Sequence, residues 1–275
     1  MRFAKPELNF SEKFLNTIQN AGFNTVEEYV EKSENVPLHI AEEYITAVMS
    51  YPWYSAKGTN NNMYSLFYNA SSWEDANRLA GTVKKHFTSK PSMVEPNGRI
   101  YREYENFNSF IVPRLLINKH TPEEYITLIY NTTDFNIYNP KEENHPLNII
   151  SSHLNTPADI LAQIALTPVE PIPTNKVDKV AQEANITFNI IQNINTPYEI
   201  LFNPDFHSRI TSQVLSKMLL LNMVERPEYN LEHLKKLVYS TDNKYILNEI
   251  RAQLKTLMLD ETEEAFIVLT VKILP

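Results

Sequence analysis

Apolar residues recur at helical spacing along most of this chain, and the elements they predict are helices. Phe14, Leu15 and Ile18 share one face of residues 11–21, which end at Gly22, a residue suited to the left-handed position just past a helix. Thr25-Val26-Glu27-Glu28 is a capping-box pattern that opens a short second helix. Ile40, Tyr44, Ile45 and Val48 give residues 37–50 an apolar stripe. Ser72 and Asp75 begin another helix, with Trp73, Ala76, Leu79, Ala80 and Val83 on one side and Gly81 in its middle. Toward the end, residues 207–222 carry Ile210, Val214, Met218 and Leu221 as the expected buried stripe. Helices are expected over 231–240 and 244–259, the latter through Ile246, Leu247, Ile250 and Leu254. Residues 263–275 are rich in β-branched side chains and are read as a terminal helix covering the last open face; as a strand they would need a partner.

The middle of the chain says one thing three times. Lys119-His120-Thr121-Pro122-Glu123-Glu124-Tyr125-Ile126, Leu154-Asn155-Thr156-Pro157-Ala158-Asp159-Ile160-Leu161 and Ile194-Asn195-Thr196-Pro197-Tyr198-Glu199-Ile200-Leu201 each join two apolar segments through Thr-Pro. The threonines stand 35 and 40 residues apart, the length of a two-helix repeat. Six positions before each Thr are Leu115, Ile150 and Ile190; four after it are Tyr125, Ile160 and Ile200; five after it are Ile126, Leu161 and Leu201. Thr is expected to N-cap the second helix, Pro to occupy its first position, and Glu123, Glu124, Asp159 and Glu199 to favour the positive end of its dipole. Each such unit has an apolar face it cannot bury alone, so neighbours must stack.

The segments IISSHLNTPADILAQIA and FNIIQNINTPYEILF resemble leucine-rich repeat variant units, all-helical repeats distantly similar to HEAT repeats. The resemblance covers roughly residues 109–202, and its spacing is nearer the HEAT length. It implies an all-α fold, a right-handed stack of helix pairs with flanking helices. It implies nothing about a cysteine-ligated cluster, because the chain has no Cys. The expected division is a small helical section over 1–50, an aromatic and basic section over 51–107 with a linker near 89–99, and a repeat array over 108–275. Residues 132–144 and 167–175 are read as loops from their Pro and Asn content.

The section over 51–71 interrupts the helical pattern. Lys57-Gly58-Thr59-Asn60-Asn61-Asn62 is a loop by composition, flanked by Trp53, Tyr54, Tyr64, Phe67 and Tyr68. Trp53, Tyr54, Tyr64 and Tyr68 are candidates for a recognition surface, since aromatics give contact area at low entropy cost; the alternative is a core between helical layers. From 78 to 119, eight Lys and Arg residues outnumber three Glu, with Tyr101, Tyr104, Phe107 and Phe110 interleaved. Basic side chains track phosphates and aromatics stack on unpaired bases, which makes Lys84, Lys85, Arg99 and Arg102 candidates for a nucleic-acid contact.

Composition removes several chemistries. The net charge of −8 argues against a general nucleic-acid coat, though not against a local basic patch. Four well-separated Gly residues exclude glycine-rich phosphate loops, and zero Cys excludes disulfides, thiolate zinc sites and a Cys nucleophile. The seven His form no HExxH pair; Glu142, Glu143 and His145 are a conceivable metal cluster in a polar loop, and Glu27-Glu28 and Glu42-Glu43 read as solvated faces. No catalytic signature appears, so no catalytic residue, cofactor or metal is assigned, and an enzyme with a motif-free site stands as a third reading. With no signal-peptide core and no long apolar run, a cytoplasmic protein without membrane contact is expected. The abundance of Asn and Tyr accompanies AT-rich coding, as in many bacteriophages and low-GC bacteria; for a bacteriophage a structural or host-interaction role in host cytoplasm or virion would follow. The leading expectation is a non-catalytic scaffold that binds another protein; the alternative is nucleic-acid binding through residues 78–119.

Overall fold

The structure is a computed structural model; it describes residues 8–50, 57–87, 107–135, 138, 144–167 and 176–253. Among these residues the chain forms fourteen α-helices and no strand, so the fold is all-α. Backbone packing divides it into two units, residues 1–129 and 130–275. The boundary falls inside a helix rather than at the composition breaks near 50 and 107.

The first unit contains α1 (Glu12–Asn20), α2 (Val26–Lys32), α3 (Leu38–Ser50), α4 (Lys57–Tyr68), α5 (Trp73–Phe87), α6 (Phe107–Leu116) and most of α7 (Glu123–Thr132). Its boundary signals act as the sequence predicts. Ser11 Oγ accepts from Phe14 N at 3.2 Å, Thr25 Oγ1 from Glu28 N at 3.1 Å, and Ser72 Oγ from Asp75 N at 3.1 Å. Gly22 follows α1 at φ +81°, where a Cβ would be strained. One expectation fails. Residues 57–62 are not a loop but the start of α4, because Met63, Leu66, Phe67 and Ala70 beyond them are buried in the core and fix the segment as helix. Tertiary burial here outweighs the poor helix propensity of Gly and Asn.

The helices of this unit lie in two rows. α2 packs on α4 and α4 on α6, while α3 packs on α5. The Trp73 ring meets that of Tyr125 at 4.8 Å, linking α5 to α7. Between the rows lies a core built on Phe14, Ile40, Tyr44, Phe67 and Leu79. The Phe10 ring stacks on Phe14 at 4.3 Å, and Asn62 Nδ2 donates to the buried Tyr44 hydroxyl at 2.9 Å.

The second unit continues with α8 (Pro146–Ser152), α9 (Ala158–Leu166), α10 (Lys176–Gln192), a 3₁₀ turn (Tyr198–Phe202), α11 (Pro204–His207), α12 (Gln213–Glu225), α13 (Leu231–Ser240) and α14 (Lys244–Gln253). It too has two rows: α8, α10, α12 and α14 pack in succession, and opposite them α9 packs on α11 and the 3₁₀ turn on α13. Ile150, Ile190, Leu161, Leu201, Leu219, Leu237 and Ile250 fill the space between. The helix expected over 207–222 is replaced by α11, a break at residues 208–212, and α12, which restarts at Ser212 with its hydroxyl accepting from Leu215 N at 3.3 Å. That restart sets the buried face. Leu215, Leu219, Leu220 and Met223 point inward, whereas Val214 and Leu221, expected inside, are on the surface. Residues 254–275, with the expected terminal helix, lie outside the described residues, as do the expected linker at 89–99 and most of the two expected loops.

Candidate interaction surface

The Thr-Pro corners do something other than the capping expected of them. Thr156 is buried, the N-cap position of α9 falls on Pro157, and no side chain caps that helix. The hydroxyl instead points backward and donates to the carbonyl of Ile150, six residues earlier, at 2.6 Å. Thr121 does the same to Leu115 at 2.7 Å and Thr196 to Ile190 at 2.6 Å. The last carbonyls of a helix have no partner within it. Ile150 O and Leu115 O accept a backbone N–H from the turn that follows, at 3.2 and 3.3 Å, and the buried hydroxyl adds a second, shorter donor, since a hydroxyl can donate as well as accept. Thr is therefore a cap for the helix behind it, not the helix ahead.

A second side chain, three residues before Thr121 and before Thr196, ties each of those corners to an earlier helix end. Asn193 Nδ2 donates to the carbonyls of Ser151 and His153 at 3.1 and 3.0 Å, while its Oδ1 accepts from Asn195 N at 3.0 Å. Asn118 Nδ2 reaches Phe67 O and Ala70 O at 2.6 and 3.2 Å, and its Oδ1 accepts from His120 N. One corner earlier, Asn69 Nδ2 donates to Ser33 O at 3.2 Å. One corner later, Arg226 takes over: its Nη1 and Nη2 donate to Thr196 O and Asn193 O at 2.6 and 2.9 Å. The opposite row of the second unit is stitched the same way. Arg209 Nη1 donates to Ile164 O and Ala165 O, and Asn243 Nδ2 to His207 O and Ile210 O at 2.7 and 2.9 Å. Within each unit, then, successive helix ends are tied together by side-chain donors to their carbonyls, some of which, such as His153 O and Asn193 O, also accept a backbone N–H from their own turn.

What the ladder exposes is the tip of each corner. Leu154 is 66% and Ile194 73% exposed, two large apolar side chains at the same position of successive corners. Asn195 Nδ2 donates to the carbonyl of Leu154 itself, so the two tips are adjacent. Neither residue was singled out from the sequence as a surface group. The signal was the corner alignment, in which both precede an invariantly buried Thr by two positions.

The residues proposed from the sequence fall in different places. Trp53, Tyr54, Arg99 and Arg102 lie outside the described residues. Tyr64 is half-buried, with the Arg114 guanidinium over its ring at 4.3 Å and over that of Phe110 at 3.5 Å. Tyr68 is exposed at the end of α4. Lys84 and Lys85 are exposed in the last turn of α5, where cations favour the helix dipole. Of the wider basic stretch, Arg114 is buried and Arg78 pairs with Glu42 at 3.2 Å.

His145 of the conceivable metal cluster is buried and serves as the N-cap of α8, its Nδ1 accepting from Leu147 N at 3.2 Å. Burial pushes its pKa down to about 4, against a smaller opposing effect of its hydrogen bond to the Phe135 backbone. His207 is likewise buried, with Nε2 on the Leu201 carbonyl at 2.8 Å, and burial lowers its pKa. Among the described residues no three His, Asp or Glu side chains form a group that would hold a metal ion. No helix among them is long and apolar enough to cross a membrane. Comparison with protein-family models, with curated proteins and with solved structures finds no match to this chain.

Proposed function

We propose that this protein is a non-catalytic scaffold of stacked helix pairs, similar in plan to HEAT and leucine-rich repeat variant arrays, whose corner edge holds another protein. The observation that carries the reading is the pair Leu154 and Ile194, apolar and exposed on corners locked in register by Asn193 and Asn195. Apolar tips on a preordered frame lose little entropy on binding, and large rigid surfaces of this kind suit recognition. A structural or host-interaction role in a bacteriophage is consistent with the Asn- and Tyr-rich composition.

The test is capture from extract of the native source, with and without nuclease, with the wild type beside a Leu154→Glu, Ile194→Glu double variant. Both side chains are mostly in water, so the variant should keep its stability to within about 0.5 kcal/mol. A stoichiometric protein partner retained by the wild type and lost from the variant supports the scaffold. Recovery of nucleic acid alone, released by moderate salt and dependent on Lys84 and Lys85, overturns it in favour of the basic stretch.

A further inference from the structure

A second apolar surface lies away from the corner tips, on the outer face of α12. Val214 is 69%, Leu221 40% and Val224 38% exposed, and Met218 between them is half-buried. These positions recur at the three- and four-residue steps of one helix face, apart from the buried Leu215, Leu219 and Met223. Phe188 of α10, 40% exposed, extends the surface. It stands five residues before Asn193, as Leu221 stands five before Arg226, and Arg226 clamps those two helix ends together. A helix with apolar residues on its inner and outer faces is one that expects cover on both. The outer face is also symmetric about Leu221. Three residues to either side are Met218 and Val224; four to either side are Lys217 and Glu225, both exposed and opposite in charge. Lys217 and Glu225 stand about 12 Å apart along the helix, too far to pair with each other. Neither carries an ion pair among the described residues.

We propose that this face is the seat of a second copy of the chain, its α12 packed antiparallel to the first about a two-fold axis at Leu221. In an antiparallel helix pair, a residue a given number of positions before the axis faces the residue the same number after it on the other chain. Leu221 then meets the partner's Leu221, Met218 meets the partner's Val224, and Lys217 meets the partner's Glu225. The last two contacts each form twice, as a two-fold interface requires. Apolar side chains leave water along the centre, and opposite charges close both ends. A partner of unrelated sequence would have to be matched to this pattern, whereas the same helix running backward matches it already. The contact uses one patch on both chains, so it closes at a dimer, and it uses neither Leu154 nor Ile194 of the corner edge.

The test is sedimentation equilibrium of the full chain over about 1–100 μM, because a face this small makes a reversible dimer. The mass should rise with concentration from one chain to two and no further. Leu221 is on the surface, so Leu221→Glu keeps the fold; it sets two carboxylates against each other at the axis and should weaken association by about tenfold or more. Lys217→Glu or Glu225→Lys alone opposes like charges at both ends and should weaken it several-fold. The two together restore complementarity and should return the association to that of the wild type, a rescue that a merely structural role would not give. Leu154→Glu with Ile194→Glu should leave the dimer unchanged, which separates this face from the corner edge. A mass of one chain at every concentration, assembly beyond two, a dimer that Leu221→Glu leaves intact or the corner variant abolishes, or a charge swap no tighter than its single variants each overturns the proposal.

Discussion

Replacing Asn193 separates the ladder from ordinary packing. The side chain is 3% exposed and donates two hydrogen bonds, to Ser151 O and His153 O at the end of α8. Asn193→Ala removes both donors, each worth about 1 kcal/mol net, and strands the Ser151 carbonyl at about 1 kcal/mol more, while His153 O keeps the N–H of Thr156 at 3.1 Å, so the cost should be about 2–3 kcal/mol. Asn193→Asp keeps the shape but points a carboxylate at two carbonyl oxygens, and should cost more than Ala near pH 7. Its folded-state pKa is then raised above the unfolded value, so the excess over Ala is present at neutral pH and shrinks as pH falls and the carboxyl regains a donor proton. The control is Asn185→Ala, on the exposed face of α10, which ends just before Asn193, expected within about 0.5 kcal/mol of wild type. Urea unfolding followed by circular dichroism at pH 7 and pH 5 measures all four chains. If Asn193→Ala behaves like Asn185→Ala, or if Asp and Ala differ by the same amount at both pH values, the rung does not hold the corner.

Two further substitutions test the corner and its buried imidazole. At Thr156, Ser keeps the backward hydroxyl donor and should cost about 1 kcal/mol for the lost methyl, whereas Asp should cost roughly 3 kcal/mol or more; tolerance of Asp, a strong N-cap, would restore the forward cap. His145 has its pKa lowered to about 4, so its contribution is complete above the unfolded value near 6.5 and is lost as pH falls from there through 4. The slope should approach about 1.4 kcal/mol per pH unit in that window, with His207 acting in the same direction. His145→Asn retains an N-cap acceptor and should flatten the part of the slope due to this residue; chemical denaturation at half-unit pH steps reads it.

Period and punctuation carried most of the helical assignments. Ser11, Gly22, Thr25 and Ser72 mark boundaries through local chemistry, and local chemistry is what one sequence displays. The failures are where a distant group decides. Residues 57–62 look like a loop because Gly and three Asn are weak helix formers, yet the buried Phe67 and Leu66 downstream hold the segment in α4. On α12 the run Leu219-Leu220-Leu221 offers more than one apolar face, and the sequence alone does not choose between them. The cap at Ser212 sets where the helix begins, packing against α10 and α14 sets its rotation, and Leu221 is left outside.

The corner shows the same limit at the level of a single atom. That Thr121, Thr156 and Thr196 matter was visible from their spacing, but a threonine beside a helix start is equally suited to accept from the helix ahead or to donate to the helix behind. The choice rests on burial. An exposed helix end leaves its carbonyls to water, whereas a corner packed against the previous corner excludes water and makes the missing donor the costlier lack. Asn118 and Asn193 follow from the same condition, since an amide can accept from its own turn and donate across to the neighbouring one at once. At the corner of α12 the rung is an arginine, which reaches two carbonyls with its fork but accepts nothing. The donor half of the rung is thus what Asn118, Asn193 and Arg226 share, and the side chains left over at the tips, Leu154 and Ile194, are the part free to differ.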